Sequence, residues 1–238
     1  MSKNLFAIII LLVLTVTLAA PAGIIYVDDD AVGANNGSSW DNAFTSLQSA
    51  LTKPPAAGDE IWVAAGTYKP GTLRTDYFLL PSSVGIYGGF AGTETDLSQR
   101  NWRMNETILS GEIGGTDMID NCYNVVWGGG TNSDTVLDGF TITRGYSNYN
   151  EYSGGGGLYN TGGHLRVINC TFVDNGTYYN GGAVWNFFGN PTFINCIFGY
   201  NFAWSVGNDA VTSEGRRDIQ QGRQPDLDQL LFRLQLSR

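Results

Sequence analysis

The chain's single histidine, His164, lies two residues before Arg166, and this pair is the clearest set of side chains that could perform acid–base chemistry. Residues two apart in a strand share a face, so the imidazole could transfer a proton while the guanidinium stabilises an oxyanion. Such catalysis also needs a convergent acidic group, and none stands at a recognisable spacing from the pair. The sequence therefore favours a surface histidine at a turn.

The acidic residues and the three cysteines show no metal-ligand spacing. The densest acidic run is the aspartate triplet at residues 28–30, which could bind Ca²⁺ together with Asn35 or Asn36. A solvated turn after a first strand is the favoured interpretation of this run. We therefore predict neither a metal site nor a cofactor.

Aromatic side chains are the better candidates for binding. Several tyrosines lie in one extended loop and in the equivalent loop one repeat later, and asparagines neighbour them in the sequence. Tyrosine offers rigid amphipathic contact area, so these rings could bind a sugar or a protein, or they could shield glycine-rich backbone. The predicted ligand-binding residues are Tyr146, Tyr149, Tyr152, Tyr178 and Tyr179.

A 26-residue repeat positions these loops. The heptapeptide NCTFVDN at residues 169–175 returns as NCIFGYN at residues 195–201, and GGGLYN at residues 155–160 returns as GGAVWN at residues 181–186. A degenerate copy lies upstream at residues 137–145. Repeats of 20–50 residues indicate solenoids, propellers or arrays. The repeat contains too much glycine for helices, and its short β-branched and aromatic runs predict strands.

The repeats predict an all-β parallel β-helix, in which equivalent residues of successive repeats stack. Two ladders are expected to point inward: Phe140, Cys170 and Cys196 in one, and Ile142, Phe172 and Phe198 in the other. The cysteines are thus expected to be core thiols rather than a disulfide. Two asparagine pairs, at 169/195 and 175/201, are expected at corners with left-handed backbone and bonds along the stack. An antiparallel sandwich is the alternative.

Two motifs carry a family resemblance. GGAV at residues 181–184, FVDN at residues 172–175 and FGYN at residues 198–201 resemble the GGA[ILV] and FxxN motifs of chlamydial polymorphic outer membrane protein repeats. Residues 24–207 more broadly resemble secreted right-handed β-helix proteins of the pectin-lyase-like class. The resemblance implies a right-handed solenoid.

β-Helix lyases hold Ca²⁺ with several carboxylates, so the resemblance calls for stacked acidic residues. The expected neighbours of Asp138 are instead Ile168 and Ile194, and Asp174 is expected to stack on Tyr200. The lyase and hydrolase patterns are therefore not met.

The N-terminal region begins with a basic residue and an apolar run, which predict a signal peptide over residues 1–22; an uncleaved membrane anchor is the alternative. Residues 23–207 are expected to form the β-helix domain. Apolar residues at three- and four-residue steps predict an amphipathic capping helix over about residues 39–53. Further strands are expected at residues 24–27, 60–64, 84–87, 107–110 and 124–127.

The tail over residues 208–238 departs from the repeat. In one interpretation the reading frame is lost near Gly207, so that the tail is foreign sequence. In the other, Leu227, Leu230, Leu231 and Leu234 form one face of a C-terminal cap helix. The first is favoured, because the repeat stops in mid-unit where the composition changes.

A net charge of −9 with no basic patch argues against nucleic-acid binding. No segment after the signal could span a bilayer. The sequence therefore predicts a secreted or cell-surface protein, extracellular or on an outer membrane. Its predicted role is non-catalytic, in adhesion or in the recognition of carbohydrate or a surface protein. The alternative is a polysaccharide lyase or glycoside hydrolase of the pectin-lyase-like group.

Overall fold

Short parallel strands, numbered β1–β18 along the chain, make up most of the regular structure in residues 22–53, 55–115, 117–148 and 154–204, the parts that the computed structural model describes. They form four sheets, and every pair of neighbouring strands is parallel. Parallel pairing throughout these residues excludes the antiparallel sandwich and confirms an all-β chain of several parallel sheets.

The bounds of the strands follow sheet by sheet. Sheet A contains, in spatial order, β1 (Ile24–Val27), β2 (Glu60–Ala64), β5 (Gly85–Phe90), β8 (Val136–Asp138), β12 (Arg166–Ile168) and β16 (Thr192–Ile194). Sheet B contains β3 (Gly66–Tyr68), β6 (Thr107–Ser110), β9 (Phe140–Thr143), β13 (Thr171–Val173) and β17 (Ile197–Gly199). Sheet C contains β4 (Phe78–Leu79), β7 (Val126–Trp127), β11 (Leu158–Thr161) and β15 (Val184–Phe187). Sheet D contains β10 (Tyr146–Ser147), β14 (Gly176–Thr177) and β18 (Phe202–Ala203).

The predicted inward ladders are present. Phe172 pairs with Ile142 on one side and with Phe198 on the other, and the rings of Phe172 and Phe198 stack at 5.1 Å. Cys170 is buried beside them, and its thiol donates to the Leu137 carbonyl of the preceding repeat. The thiols of Cys122, Cys170 and Cys196 are all free, as the core-ladder interpretation requires.

Asparagine side chains join successive repeats as predicted. Asn195 donates to Asn169 Oδ1 at 2.6 Å, and Asn175 Nδ2 donates to Asn201 Oδ1 at 3.0 Å. Asn169 and Asn195 have the expected left-handed backbone, with φ values of 51° and 52°. The expectation was wrong for the second pair, because the left-handed residues there are Asp174 and Tyr200, one position earlier.

The N-terminal strands largely match the prediction, but the helix is shorter than expected. Helix α1 covers only Leu47–Thr52, with Leu47 and Ala50 buried, and 3₁₀ turns occur at Leu97–Gln99 and Met118–Asp120. The segment before α1 is not helical because Phe44 bridges Val27 in parallel. Its amide donates to the Tyr26 carbonyl, and its carbonyl accepts from the Asp28 amide. The free edge of β1 is therefore partly covered by extended backbone rather than by a helix.

No helix among the described residues is long and apolar enough to cross a membrane. The predicted signal peptide lies outside the described residues apart from Ala22, and so does the whole tail from residue 208.

Replacing Asn175 by alanine tests the asparagine ladder. The Asn175 side chain accepts from the Gly145 amide and donates to the carbonyl of Ile142, both buried, as well as to Asn201. Leaving such groups without partners is expected to lower the free energy of unfolding by roughly 2–4 kcal/mol. Urea denaturation measures this, with Asn190→Ala, whose side chain is exposed, as the matched control. Equal urea midpoints for the two variants would contradict a stabilising role for the Asn175 hydrogen bonds.

Candidate binding surface

An open groove of about 400 Å³ lies where the chain turns from sheet C into sheet A. The residues that line it are all polar or charged, and they come from three successive repeats. The residues of this polar groove are Asn132, Ser133, His164, Arg166, Asn190 and Thr192. The structure thus places the predicted His164–Arg166 pair on one surface with amides and hydroxyls.

Backbone pairing fixes the spacing of the groove residues. Arg166 lies opposite Val136 on one side and Thr192 on the other. The His164 amide donates to the Thr131 carbonyl, and the Asn190 amide donates to the Gly163 carbonyl. Neighbouring parallel strands lie about 4.8 Å apart, so the polar side chains of successive repeats recur at that distance along the groove.

Arg166 is exposed and forms no ion pair with a described carboxylate. The one ion pair among the described residues joins Arg100, which follows the first 3₁₀ turn, to Asp138 of β8 at 2.6 Å. Burial raises the pKa of Tyr87, with Glu60 and Asp138 adding to the rise, whereas Arg100 and Arg166 oppose it. The positive charge of Arg166 therefore faces the groove without a neutralising partner in the described chain, and an anionic or hydroxylated ligand could accept from it.

Phe188 occupies a strained corner two residues before Asn190 of the groove. In the two preceding repeats the equivalent residues are glycines, Gly130 and Gly162, with φ values of 74° and 64°. Phe188 keeps the left-handed conformation, with φ of 55°, although a bulky side chain disfavours it. The ring is 85% exposed, so core packing does not compensate for this cost. Backbone strain of this kind is characteristic of functional sites.

Aromatic rings on sheet C form a column that leads to Phe188. Sequence reasoning did not predict this column. The ring centroids of Trp127 and Tyr159 are 4.4 Å apart, and those of Tyr159 and Trp185 are 5.2 Å apart. The 26-residue offset between Tyr159 and Trp185 was the signal that could have revealed it. Phe188, beyond Phe187, has the most exposed ring at this end of the column.

The predicted tyrosine strip is only partly within the described residues. Tyr178 and Tyr179 lie edge to face with centroids 5.2 Å apart, and Tyr178 is exposed. Tyr146 packs against Phe202 at 6.0 Å, and burial raises the pKa of its hydroxyl. Tyr149 and Tyr152 lie outside the described residues. A ligand-binding role for this strip stays a prediction.

The acidic residues are placed as expected. Asp138 pairs in register with Ile168, which in turn pairs with Ile194. The Asp28 carboxylate accepts from the Asp30 amide, an arrangement that belongs to a turn. The described residues contain no group of three or more histidine, cysteine, aspartate or glutamate side chains that could hold a metal ion.

Comparison of the chain with protein-family models, with curated proteins and with solved structures found no match in any of the three. The resemblance to polymorphic outer membrane protein repeats and to pectin-lyase-like proteins therefore rests on the sequence motifs alone.

Substitution of the two neighbouring phenylalanines by glycine should have opposite effects on stability. Phe188→Gly relieves the left-handed strain and is expected to raise the free energy of unfolding by up to about 1 kcal/mol. Phe187→Gly places glycine in β15 and removes a ring that contacts Trp185, so it should lower that free energy by about 1–2 kcal/mol. Urea denaturation of both variants measures the signs. A loss of stability in Phe188→Gly equal to that in Phe187→Gly would assign Phe188 a packing role.

Proposed function

We propose that this chain is a non-catalytic recognition protein, secreted or on the cell surface, that binds glycans at the polar groove and Phe188. The observation that carries the proposal is the exposed, left-handed Phe188 at a corner where both preceding repeats have glycine. Such a residue adds little to the fold, and a partner that stacks on its ring would give it a role.

The proposed fold is a right-handed parallel β-helix of the pectin-lyase-like class, with α1 and the segment before it as the N-terminal cap. Parallel pairing in four sheets supports this winding, since from β2 onward consecutive strands belong to different sheets and pair with their equivalents in neighbouring repeats. The burial of Leu47 and Ala50 next to β1 supports the cap. Only some members of a fold share a function, so the site, rather than the fold, argues for recognition.

A sugar could use the two parts of the surface together. The apolar face of a pyranose ring can pack on the Phe188 ring, as ligands do on exposed aromatic side chains. Arg166, His164 and Asn190 then offer donors and acceptors to its hydroxyl groups or to a carboxylate. The lining residues come from three successive repeats, which fits a polymer that runs along the stack.

Polysaccharide cleavage is the second candidate, because His164 and Arg166 share one groove. Such chemistry also requires an acidic residue, and the acidic residue on the same sheet does not fit this role. Asp138 on the same sheet is neutralised by Arg100 and also accepts from Asn169 at 2.9 Å. It is therefore poorly suited to act as a base or nucleophile.

A glycan array run beside a polysaccharide-cleavage screen on the full chain tests the proposal. Binding without cleavage is expected. Arg166→Gln removes a charged donor and Phe188→Ser removes the stacking ring, and each should weaken binding about tenfold or more. Arg103→Gln, at an exposed arginine outside the groove, should leave binding unchanged. Cleavage by the wild-type chain would overturn the non-catalytic assignment.

A double substitution separates the polar groove from the predicted tyrosine strip. Tyr178→Ala combined with Tyr179→Ala should leave glycan affinity within about twofold if the groove is the site, since these rings lie on sheet D's side of the molecule. Titration of the best glycan from the array gives the affinities. A loss larger than that of Phe188→Ser would move the site to the tyrosines.

A further inference from the structure

Four short segments of the described chain have the sequence that N-linked glycosylation requires. This sequence is Asn-x-Ser or Asn-x-Thr, in which x is any residue except proline. The acceptor asparagines are Asn36, Asn105, Asn169 and Asn175. A glycan is bulky and belongs on the surface, so the burial and the hydrogen bonds of these side chains distinguish the four segments.

Two of the four acceptors are closed by the fold. The Asn105 Nδ2 atom, which would form the bond to the sugar, donates to the Gly89 carbonyl, and Thr107 two residues on is buried. Asn175 is itself buried, its Nδ2 atom donates to a main-chain carbonyl of the preceding repeat, and Thr177 is buried as well. A sugar on either nitrogen would displace a hydrogen bond and leave a carbonyl without its partner.

The third acceptor, Asn169, belongs to the ladder that joins the repeats. Its Nδ2 atom donates to Asp138 Oδ1 at 2.9 Å, and its Oδ1 atom accepts from Asn195 at 2.6 Å. Asp138 also pairs with Arg100, so a substituent on the Asn169 nitrogen would disturb an ion pair. This side chain therefore has a structural role that excludes a glycan.

Asn36 differs from the other three because its side chain is exposed and its Nδ2 atom has no hydrogen-bond partner among the described residues. The Asn36 Oδ1 atom accepts from the Ser38 amide at 3.0 Å, which brings the carboxamide beside the serine, and Ser38 is exposed too. Gly37 between them has a φ of 75°, and its carbonyl accepts from the Tyr26 amide of β1. The backbone thus anchors this turn while both side chains that glycosylation requires remain accessible.

We propose that Asn36 is a modification site that carries an N-linked glycan and that the other three acceptors stay unmodified. The proposal rests on the secreted assignment made under the proposed function. The transfer forms a bond between the Asn36 Nδ2 atom and the anomeric carbon of a sugar, which a lipid-linked phosphate donor supplies. The bond between that carbon and the phosphate oxygen breaks, the lipid phosphate leaves with the electron pair, and the amide nitrogen loses a proton.

The position of Asn36 suits a bulky polar substituent. The turn lies beside β1, the first strand of sheet A, whereas Arg166 of the polar groove lies on β12, four strands further along that sheet. At about 4.8 Å per strand this separation is roughly 19 Å, so a glycan at Asn36 leaves the groove open. It would also hinder another chain from pairing with the edge of β1, an edge that proteins commonly protect.

Secretion of the full chain by a yeast, followed by peptide mass spectrometry, tests the site. Enzymatic removal of N-glycans converts a modified asparagine to aspartate and so marks its position. Asn36 is expected to be marked in most secreted molecules, and Asn105, Asn169 and Asn175 are expected to remain unmarked.

Two substitutions should each abolish the modification without loss of secretion. Asn36→Gln removes the acceptor amide, and Ser38→Ala removes the hydroxyl but keeps the backbone amide that holds the turn. Asn101→Gln is the matched control, because Asn101 is exposed and accepts from the Arg103 amide in a similar turn but has no hydroxyl residue two positions on. This control should leave the glycan in place.

A secreted chain with Asn36 unmodified would overturn the proposal, and so would modification mainly at the other three acceptors. A chain that stays inside the cell would overturn the secreted assignment and this proposal together. Glycan binding by Asn36→Gln is measured separately on the array and is expected to equal that of the wild-type chain. Failure of the binding proposal is therefore distinguishable from failure of the modification site.

Discussion

A single left-handed residue at each corner of the last repeats is the constraint on which the regular part of this structure depends. From β8 onward the chain passes through four sheets in each repeat, and it turns at each corner with one residue of positive φ. The stacked sets are Gly139/Asn169/Asn195, Arg144/Asp174/Tyr200, Gly155/Gly181 and Gly130/Gly162/Phe188. Each set holds the same register position in successive repeats, so the corners keep the strands aligned. Insertions are accommodated in loops outside these positions, as between β5 and β6, and the strands that follow keep their register.

Side chains reinforce the corner between sheets A and B along the stack. Arg100 pairs with Asp138, which accepts from Asn169, which in turn accepts from Asn195. A buried ion pair alone adds little stability because of its desolvation cost. Here the Asp138 carboxylate and the Asn169 amide each have partners from neighbouring repeats, so loss of one group would leave others unsatisfied. The chain of bonds favours one register over its alternatives.

Sequence reasoning succeeded where the repeat itself carries the information. Equivalent residues 26 apart predict the Phe172–Phe198 stack and the Asn169–Asn195 bond, because both follow from register alone. It could not find the Arg100–Asp138 pair, since Arg100 lies in an insertion that no other repeat contains. The helix before residue 47 was overpredicted because the edge of β1 binds Phe44 in extended form, a long-range contact that local periodicity does not encode.

The same constraint explains why the candidate site lies at one corner. Inward positions are mainly apolar and stacked, and two of the four corners hold only glycine or asparagine, so few residues in a repeat are free to vary. Phe188 departs from its glycine predecessors at a corner where the neighbouring groove also changes from one repeat to the next, with His164 opposite Asn190 and Arg166 opposite Thr192. A ligand that spans several repeats would meet different groups at a regular spacing of about 4.8 Å. Recognition by such a surface depends on the residues that differ between equivalent positions of the repeats. The regular strands of the repeat hold these residues in fixed positions.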